Sequence, residues 1–287
     1  MALNQYVRGA LALIGTLLAS SNGSANDNVY DLDGTGPRPT WELGLFGGAL
    51  QVPNYPGAES DQQRALFFPY LVYRGKRIQV GEGGLVNAKA LENPRFQVDL
   101  SLSAALNVNT EDEAAREGMP ELDYMLGIGP RLSYQWVSPK LDKSRHSLAT
   151  NLNTRLIFSS DFKSFDDRGV IVEPTVVYRY KLREKDNLVL LANWSSSFAS
   201  RDYLSYLYDV APQYETPERA AYQADAGYFR STFFLGLAMR PQRSFSFIGG
   251  VRVSSLAGST IRDSSLVKQN ENLTVFLGFR WLLWTVE

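Results

Sequence analysis

Apolar and polar residues alternate with a period of two in segment after segment between Trp41 and Trp284. The clearest run covers residues 96–108, where every even position is apolar and the opposite side carries Gln97, Asp99, Ser101, Ser103 and Asn107. Successive side chains of a β-strand point to opposite faces of a sheet. The pattern therefore predicts strands with one apolar face and one polar face.

Eleven segments show this pattern, and most have 12 to 16 residues. They are residues 41–52, 63–74, 76–86, 95–108, 122–137, 147–159, 169–182, 188–200, 226–240, 244–255 and 271–284. Ordinary globular strands have about 5 or 6 residues, whereas these are long enough to cross a bilayer at a tilt. We expect an all-β fold, a transmembrane antiparallel up-and-down β-barrel of 10–12 strands. Its apolar face would contact lipid.

A single-chain bacterial barrel usually has an even number of strands, so the count of eleven needs one correction. Either residues 76–92 contain an irregular element, or the segment 201–225 adds a short strand around residues 203–210. Of the two even counts, twelve is favoured. Pro69, Pro130 and Pro174 fall inside strand patterns, and each predicts a bulge or a missing ladder bond.

The connections between the segments are of two kinds, as expected for such barrels. Residues 74–76, 183–187 and 241–243 predict tight periplasmic turns. Residues 201–225 and 256–270 predict long loops that face outward.

The amino-terminal residues have the composition of a secretory signal. Arg8 precedes a short apolar stretch, and Gly23, Ser24 and Ala25 are small residues suited to cleavage. We expect a cleaved signal peptide at 1–25, a flexible periplasmic arm at 26–40 and the barrel at 41–287. The predicted location is the outer membrane of a Gram-negative bacterium.

Composition argues against several other functions. The net charge is −1, and the charges are spread along the chain, so no nucleic-acid-binding surface is indicated. One histidine and no cysteine give no metal-site spacing, and no cofactor is expected. His146 and Ser147 are adjacent on a strand and would point apart, so they could not act as base and nucleophile. Asp166 and Asp167 are interpreted as a polar turn before Gly169 rather than an acidic catalytic pair.

The predicted polar faces carry a group of charged residues. It consists of Asp99, Arg131, Arg155, Glu173, Arg179, Arg230, Arg252 and Arg280. Two interpretations remain: ion pairs that fill a narrow lumen, or a passage that favours anions. Four tyrosines in the segment 201–225, namely Tyr203, Tyr206, Tyr208 and Tyr214, are either a contact patch for adhesion or part of an interfacial aromatic belt.

Ordered strings along the chain resemble the MipA/OmpV family of outer-membrane proteins, the MltA-interacting scaffold proteins. They include Trp41-Glu42-Leu43-Gly44, Pro53-Asn54-Tyr55-Pro56-Gly57, Phe68-Pro69-Tyr70, Tyr73-Arg74-Gly75, Gly118-Met119-Pro120, Gly127-Ile128-Gly129-Pro130, Tyr222-Gln223-Ala224-Asp225-Ala226-Gly227 and Asp263-Ser264-Ser265-Leu266-Val267. The resemblance implies an outer-membrane barrel that links peptidoglycan-remodelling enzymes, a murein hydrolase and a murein synthase. It supplies no catalytic residues.

The sequence thus predicts a non-enzymatic scaffold or interaction protein whose partners are outer-membrane lipid and periplasmic murein enzymes. The alternatives are a pore for small solutes or anions and a surface adhesin that uses the 201–225 loop.

Overall fold

A computed structural model describes residues 39–74, 78–80, 86–88, 95–105, 107–108, 113–183 and 187–286. The predicted signal peptide, residues 1–25, lies outside the described residues, as does the arm, residues 26–40, apart from its last two positions. Both stay predictions.

The described residues form twelve strands. They are β1 Trp41–Pro53, β2 Asp61–Arg74, β3 Ile78–Val80, β4 Val86–Ala88, β5 Phe96–Ala105, β6 Tyr124–Val137, β7 His146–Ser160, β8 Asp166–Arg183, β9 Leu188–Ala199, β10 Gly227–Gln242, β11 Phe245–Ser255 and β12 Glu271–Val286. Two short α-helices, α1 Pro139–Asp142 and α2 Arg201–Tyr208, lie between strands. In the described part of the chain, no helix is both long and apolar enough to cross a membrane.

All twelve strands belong to one sheet, in the order β4-β3-β2-β1-β12-β11-β10-β9-β8-β7-β6-β5. Each described pairing is antiparallel, and the first long strand pairs with the last, with Trp41 opposite Val286 and Gln51 opposite Val275. Residues of ten strands, β1, β2 and β5 to β12, line one interior cavity. The sheet therefore wraps around on itself. No described ladder joins β4 to β5, the two ends of this strand order, and we call this gap the seam. Cα atoms of the two strands approach within 8 Å there.

Because neighbouring strands run antiparallel, each described connection lies at one of two ends of this wrapped sheet. We call one of them the turn end; it includes residues 138–145 and 243–244, the start of β1 and the end of β12. We call the other the loop end; it includes residues 54–60, 113–123, 200–226 and 256–270. The predicted turn at 241–243 overlaps the observed connection at 243–244, and the predicted long loops 201–225 and 256–270 lie at the loop end. The other two predicted turns, 74–76 and 183–187, lie mostly outside the described residues and stay predictions.

Three details differ from the sequence prediction. The segment 76–86 is predicted as one strand, but the structure describes β3 and β4 in this region as two strands that pair antiparallel with each other; residues 76–77 and 81–85 lie outside the described residues. The strand considered around residues 203–210 is wrong, because residues 201–208 form helix α2. The alternation in residues 226–240 places Phe229 in the apolar set with Phe233, opposite Arg230. Phe229 is nevertheless only 1% exposed, because a bulge between Tyr228 and Arg230 turns it inward.

Two of the three predicted proline interruptions are present, whereas Pro69 pairs with Leu45 in an unbroken β1–β2 ladder. Between β6 and β7, Ile128 pairs with Leu156 and Arg131 with Asn153, so Gly129 and Pro130 are skipped. The β8–β9 ladder similarly skips Glu173 and Pro174. Proline has no N–H to donate, so each interruption lies where a ladder bond is unavailable.

The loop end is filled by a packed layer that we call the cap, formed by helix α2 and the four connections named for that end. Its apolar core includes Tyr55, Leu204, Leu207 and Tyr208, which are 3% exposed or less. Apolar residues at 203, 204, 207 and 208 follow the spacing of one helix face. The cap is therefore built by burying that face against the surrounding loops.

The outward face of the wrapped sheet is apolar over the middle of the long strands. Its exposed residues include Leu71, Ile128, Leu132, Leu152, Leu156, Val176, Leu235, Leu237, Val251, Val253, Val275 and Leu277. Aromatic residues lie beyond this band at both ends. At the turn end they are Trp41, Tyr73, Tyr134, Trp136, Phe245, Trp281 and Trp284, and at the loop end Tyr124, Phe162, Phe165, Phe198 and Tyr228.

Gly129 permits the close approach of β6 and β7 at the proline interruption. A Cβ atom there would press against the backbone carbonyl oxygen of Thr154. We expect Gly129→Ala to lower the free energy of unfolding by about 1–3 kcal/mol, the usual cost of overpacking, in urea titrations. Gly249→Ala is the control, because its Cβ would meet the mobile Leu277 Cδ1 at 3.0 Å. Equal losses for the two variants would contradict this explanation.

Candidate binding chamber and rim surfaces

The structure places all eight charged residues predicted for the polar face on the inward side of the sheet, but it divides them into two groups. Arg155, Glu173, Arg230 and Arg252 line the interior cavity below the cap. Asp99, Arg131, Arg179 and Arg280 lie outside that lining, nearer the turn end of their strands. The sequence prediction treated one continuous luminal face.

Glu173 is the centre of the first group. Its Oε1 accepts a hydrogen bond from Arg155 Nη2 at 2.7 Å, and its Oε2 accepts one from Ser197 Oγ at 3.0 Å. Arg230 also interacts with Glu173 through its charge. Arg252 carries a further positive charge close enough to interact with both Arg230 and Glu173. The described lining therefore holds three guanidinium groups and one carboxylate, of which Arg155 and Glu173 are in direct contact.

The second group includes two ion pairs. Arg131 Nε contacts Asp99 Oδ1, and both side chains are almost fully buried. Arg280 Nη1 lies 3.9 Å from Glu42 Oε2. Sequence reasoning missed two further inward charges, Glu42 and the buried Lys181. Each lies two residues from another inward-facing residue, so the two-residue period could have identified both. A buried charge is tolerated when it is paired, which favours a filling role for this group.

The cavity has a volume of about 220 Å³, and we call it the chamber. The part of the lining that comes from β9 to β12 is polar, with hydroxyl and amide groups such as those of Ser195, Thr232 and Thr274 beside Arg230 and Arg252. Met125, Ile157 and Ile171 of β6 to β8 add an apolar wall, next along β7 and β8 to Arg155 and Glu173. The chamber thus combines a cationic, hydrogen-bonding wall with a hydrocarbon wall.

Packed side chains lie above and below the chamber. Tyr203 and Leu207 of the cap line it at the loop end, together with Phe229 of β10, whose ring packs against Tyr203. A second apolar cluster includes Leu50, Leu191, Phe234 and Phe276, with the last two rings stacked at 5.7 Å. Leu50 belongs both to this cluster and to the chamber lining. The interior is therefore organised in layers and filled, within the described residues, on both sides of the chamber.

Hydrogen bonds fasten the cap to itself. Tyr55 Oη donates to Leu266 O at 2.9 Å, Tyr208 Oη donates to Pro56 O at 2.6 Å, and Arg116 Nη1 donates to Leu207 O at 2.8 Å. Burial raises the pKa of the Tyr55 and Tyr208 phenols and lowers the pKa of the Arg116 guanidinium. Both phenols therefore remain neutral hydrogen-bond donors at neutral pH.

The four tyrosines proposed as an adhesive patch do not form one. Tyr203 is 7% exposed and Tyr208 is fully buried, so the prediction of a surface-loop contact is wrong for these two residues. They are drawn inward because they lie on the apolar face of helix α2. Tyr206 and Tyr214 are partly exposed and pack against the cap core. A helical spacing in residues 203–208 was the signal that strand-based reasoning missed.

The residues weighed for catalysis have other partners. His146 is exposed at the turn end, where its Nδ1 forms a hydrogen bond with Tyr178 Oη, whereas Ser147 is buried and accepts one from Gln135 Nε2. Asp167 accepts the N–H of Gly169. Among the described residues, no three or more His, Asp or Glu side chains converge on a possible metal position.

The two ends of the wrapped sheet differ in charge. The described turn end carries Arg95, Lys140, Lys143, Arg145, Arg183, Arg240 and Arg243, against Asp142. The described loop end exposes a larger acidic set: Glu59, Asp61, Glu117, Glu121, Asp161, Asp166, Asp167, Asp202, Glu215, Glu218, Asp225, Asp263 and Glu271, against Arg64, Lys163, Arg201, Arg262 and Lys268. Counted over the described residues, the turn end is therefore basic and the loop end acidic.

We call the basic residues of the turn end the basic rim. Contacts of Arg95 and Arg145 fix part of it in place. Arg95 Nη2 lies 2.8 Å from Asp142 Oδ1, and Arg95 Nη1 donates to Trp136 O at 2.9 Å. This ion pair raises the pKa of Arg95 and lowers the pKa of Asp142. Arg145 Nη2 donates to Leu182 O at 3.1 Å. Lys140 and Lys143 are exposed beside these fixed groups.

Several solved structures match the chain at low sequence identity. An outer membrane channel from Pseudomonas putida F1 is 10% identical, with 86% of this chain and 97% of that chain covered and a TM-score of 0.47. The CymD monoaromatic hydrocarbon channel is 10% identical over 98% of each chain, with a TM-score of 0.40. The Ralstonia pickettii toluene transporter TbuX is 12% identical over 96% and 98%, with a TM-score of 0.38. A search of curated proteins gives no match.

The family comparison covers nearly the whole chain. A sequence profile described as "MltA-interacting protein MipA" matches residues 44–283. This interval begins in β1 and ends in β12, so it includes the chamber and all of the described loops of the cap. The family predicted from the ordered strings is confirmed, and the chain belongs to the MipA family.

Proposed function

We propose that this chain spans the outer membrane of a Gram-negative bacterium as a closed β-barrel and holds a murein enzyme at its basic turn end. It acts as a non-catalytic interaction protein. The exposed apolar outward face is the observation that supports a position in the membrane. The basic rim and the family membership support a murein enzyme as the partner.

The outward face has the dimensions of a membrane-facing band. Ten steps along β12 from Leu273 to Leu283 rise about 33 Å at about 3.3 Å per residue. A strand tilt of about 40° reduces this to about 25 Å along the barrel axis, the height of the apolar band in outer-membrane barrels. Aromatic residues at both edges fit the two interfaces. So large an exposed apolar surface is not expected for a monomer in water.

The basic rim supports a protein partner of opposite charge. In such barrels the short turns face the periplasm and the long loops face outward, which would direct Lys140, Lys143 and Arg243 toward the cell wall. Charge complementarity steers association and selects partners. The family name designates an interaction with MltA, a murein enzyme. We therefore propose an acidic surface of a murein enzyme as the partner, with the predicted arm, residues 26–40, as an additional contact.

The filled interior supports an interaction protein over an open pore. The cap, the chamber, the second apolar cluster and the buried ion pairs follow one another between the two ends. Ion passage requires a continuous polar path. We accordingly propose that the inward-facing arginines help to fill the interior rather than line a wide passage.

The apolar band can be tested by a charge in its middle. Leu277 is 66% exposed and lies near the centre of β12. In lipid vesicles we expect Leu277→Arg to lower the free energy of unfolding by about 2–4 kcal/mol, because arginine at the bilayer midplane is costly. The matched control is Val286→Arg at the end of the same strand, for which about 0–1 kcal/mol is expected. Equal small effects at both positions in urea titrations would argue against membrane contact.

The basic rim can be tested by charge reversal. We expect Lys140→Glu, Lys143→Glu and Arg243→Glu together to weaken binding to a purified MltA-type murein enzyme at least tenfold. Binding of the unmodified chain should also weaken as salt rises, because exposed charges are screened. Affinities can be measured by biolayer interferometry with the chain in nanodiscs.

The matched control reverses Lys163, Arg262 and Lys268, which change the net charge equally but lie at the loop end. This control should bind the enzyme as the unmodified chain does. If both triple variants bind equally well, the turn end is not the docking surface.

A further inference from the structure

The chamber has features of a ligand site that neither membrane spanning nor partner docking requires. It is a concave space of about 220 Å³ that combines an apolar wall with a small number of polar groups, which is the general form of small-molecule sites. An apolar cavity of about 150 Å³ accommodates benzene. The chamber is therefore large enough for a ring or short chain that carries one polar head.

The charge of the lining selects the head group. Arg155, Arg230 and Arg252 face one acidic side chain, Glu173, in the described lining. Glu173 already accepts hydrogen bonds from Arg155 and Ser197. Charges in a low-dielectric interior interact strongly, so the remaining positive charge favours an anion and disfavours a cation.

Arg230 supplies a specific point of attachment. Its Nε is buried and has no hydrogen-bond partner among the described residues. Its guanidinium group lies 5.1 Å from the centre of the Phe229 ring, which holds it beside the cap. A buried donor without a partner is costly, and a bound carboxylate would accept its hydrogen bond.

The apolar wall of the chamber selects the body of the ligand. Met125, Ile157 and Ile171 offer hydrocarbon surface, and Leu207 of the cap continues it. Removing apolar ligand surface from water here is favourable by about 25 cal/mol per Å². A strongly hydrated anion such as inorganic phosphate would leave this wall unused.

We propose that the chamber binds a small amphipathic monocarboxylate, with the carboxylate at Arg230 and Arg252 and the apolar body against Met125, Ile157 and Ile171. This site lies inside the wrapped sheet, away from the basic rim, so it does not depend on the identity of the protein partner.

The test uses the full chain in detergent micelles and two probes of nearly equal shape, benzoate and its neutral analogue benzamide. Isothermal titration calorimetry should show saturable binding of benzoate, at least tenfold tighter than benzamide, since a charge-assisted hydrogen bond is lost with the amide. Comparable affinities for the two probes, or no saturable benzoate binding at millimolar concentrations, would overturn the proposal.

Variants locate the binding. Arg230→Gln and Arg252→Gln should each weaken benzoate at least tenfold while benzamide changes little. Arg280→Gln removes an interior arginine outside the chamber and should leave benzoate affinity unchanged. Folding of each variant is checked by its circular dichroism and urea midpoint; if a chamber variant does not fold, the comparison of benzoate with benzamide on the unmodified chain still decides. A folded Arg230→Gln chain with unchanged benzoate affinity would contradict the proposal.

Discussion

The backbone hydrogen bonds between β1 and β12 are the constraint on which the rest of this structure depends. They join the first long strand to the last in an otherwise sequential meander, so that all of the long strands except those at the seam have neighbours on both edges. A two-residue side-chain period then gives the sheet one inward and one outward face. Apolar residues outside and polar residues inside are the consequence, and both proposals made for this chain use that division.

The interior shows how a narrow polar lumen is kept stable. Arginines of the inward face are held by carboxylates in the Asp99–Arg131 and Arg155–Glu173 pairs, because an unpaired buried charge would be costly. Apolar residues of the cap and of the cluster around Phe234 and Phe276 separate these charged regions. The chamber is a space that this packing leaves among the described residues, and its lining carries more positive than negative charge.

The alternation of residues was enough to predict most strands within about two residues, because each long strand has the same two environments along its length. It was also enough to place all eight charged residues inward. It could not show that Arg155 and Glu173 would pair across two strands, or that the charged face would divide into two groups, since register depends on bulges and proline interruptions. The cap was missed because its helix is short and its stability comes from contacts with distant loops, such as the bond from Tyr208 to Pro56.

The most direct test of the central claim is a spin-label scan of residues 272–277 in lipid vesicles. The account predicts that labels at Leu273, Val275 and Leu277 collide with oxygen dissolved in the bilayer and are shielded from a water-soluble nickel complex. Labels at Asn272, Thr274 and Phe276 should be shielded from lipid. Outward labels that collide freely with the nickel complex, or a profile without the two-residue alternation, would contradict the account.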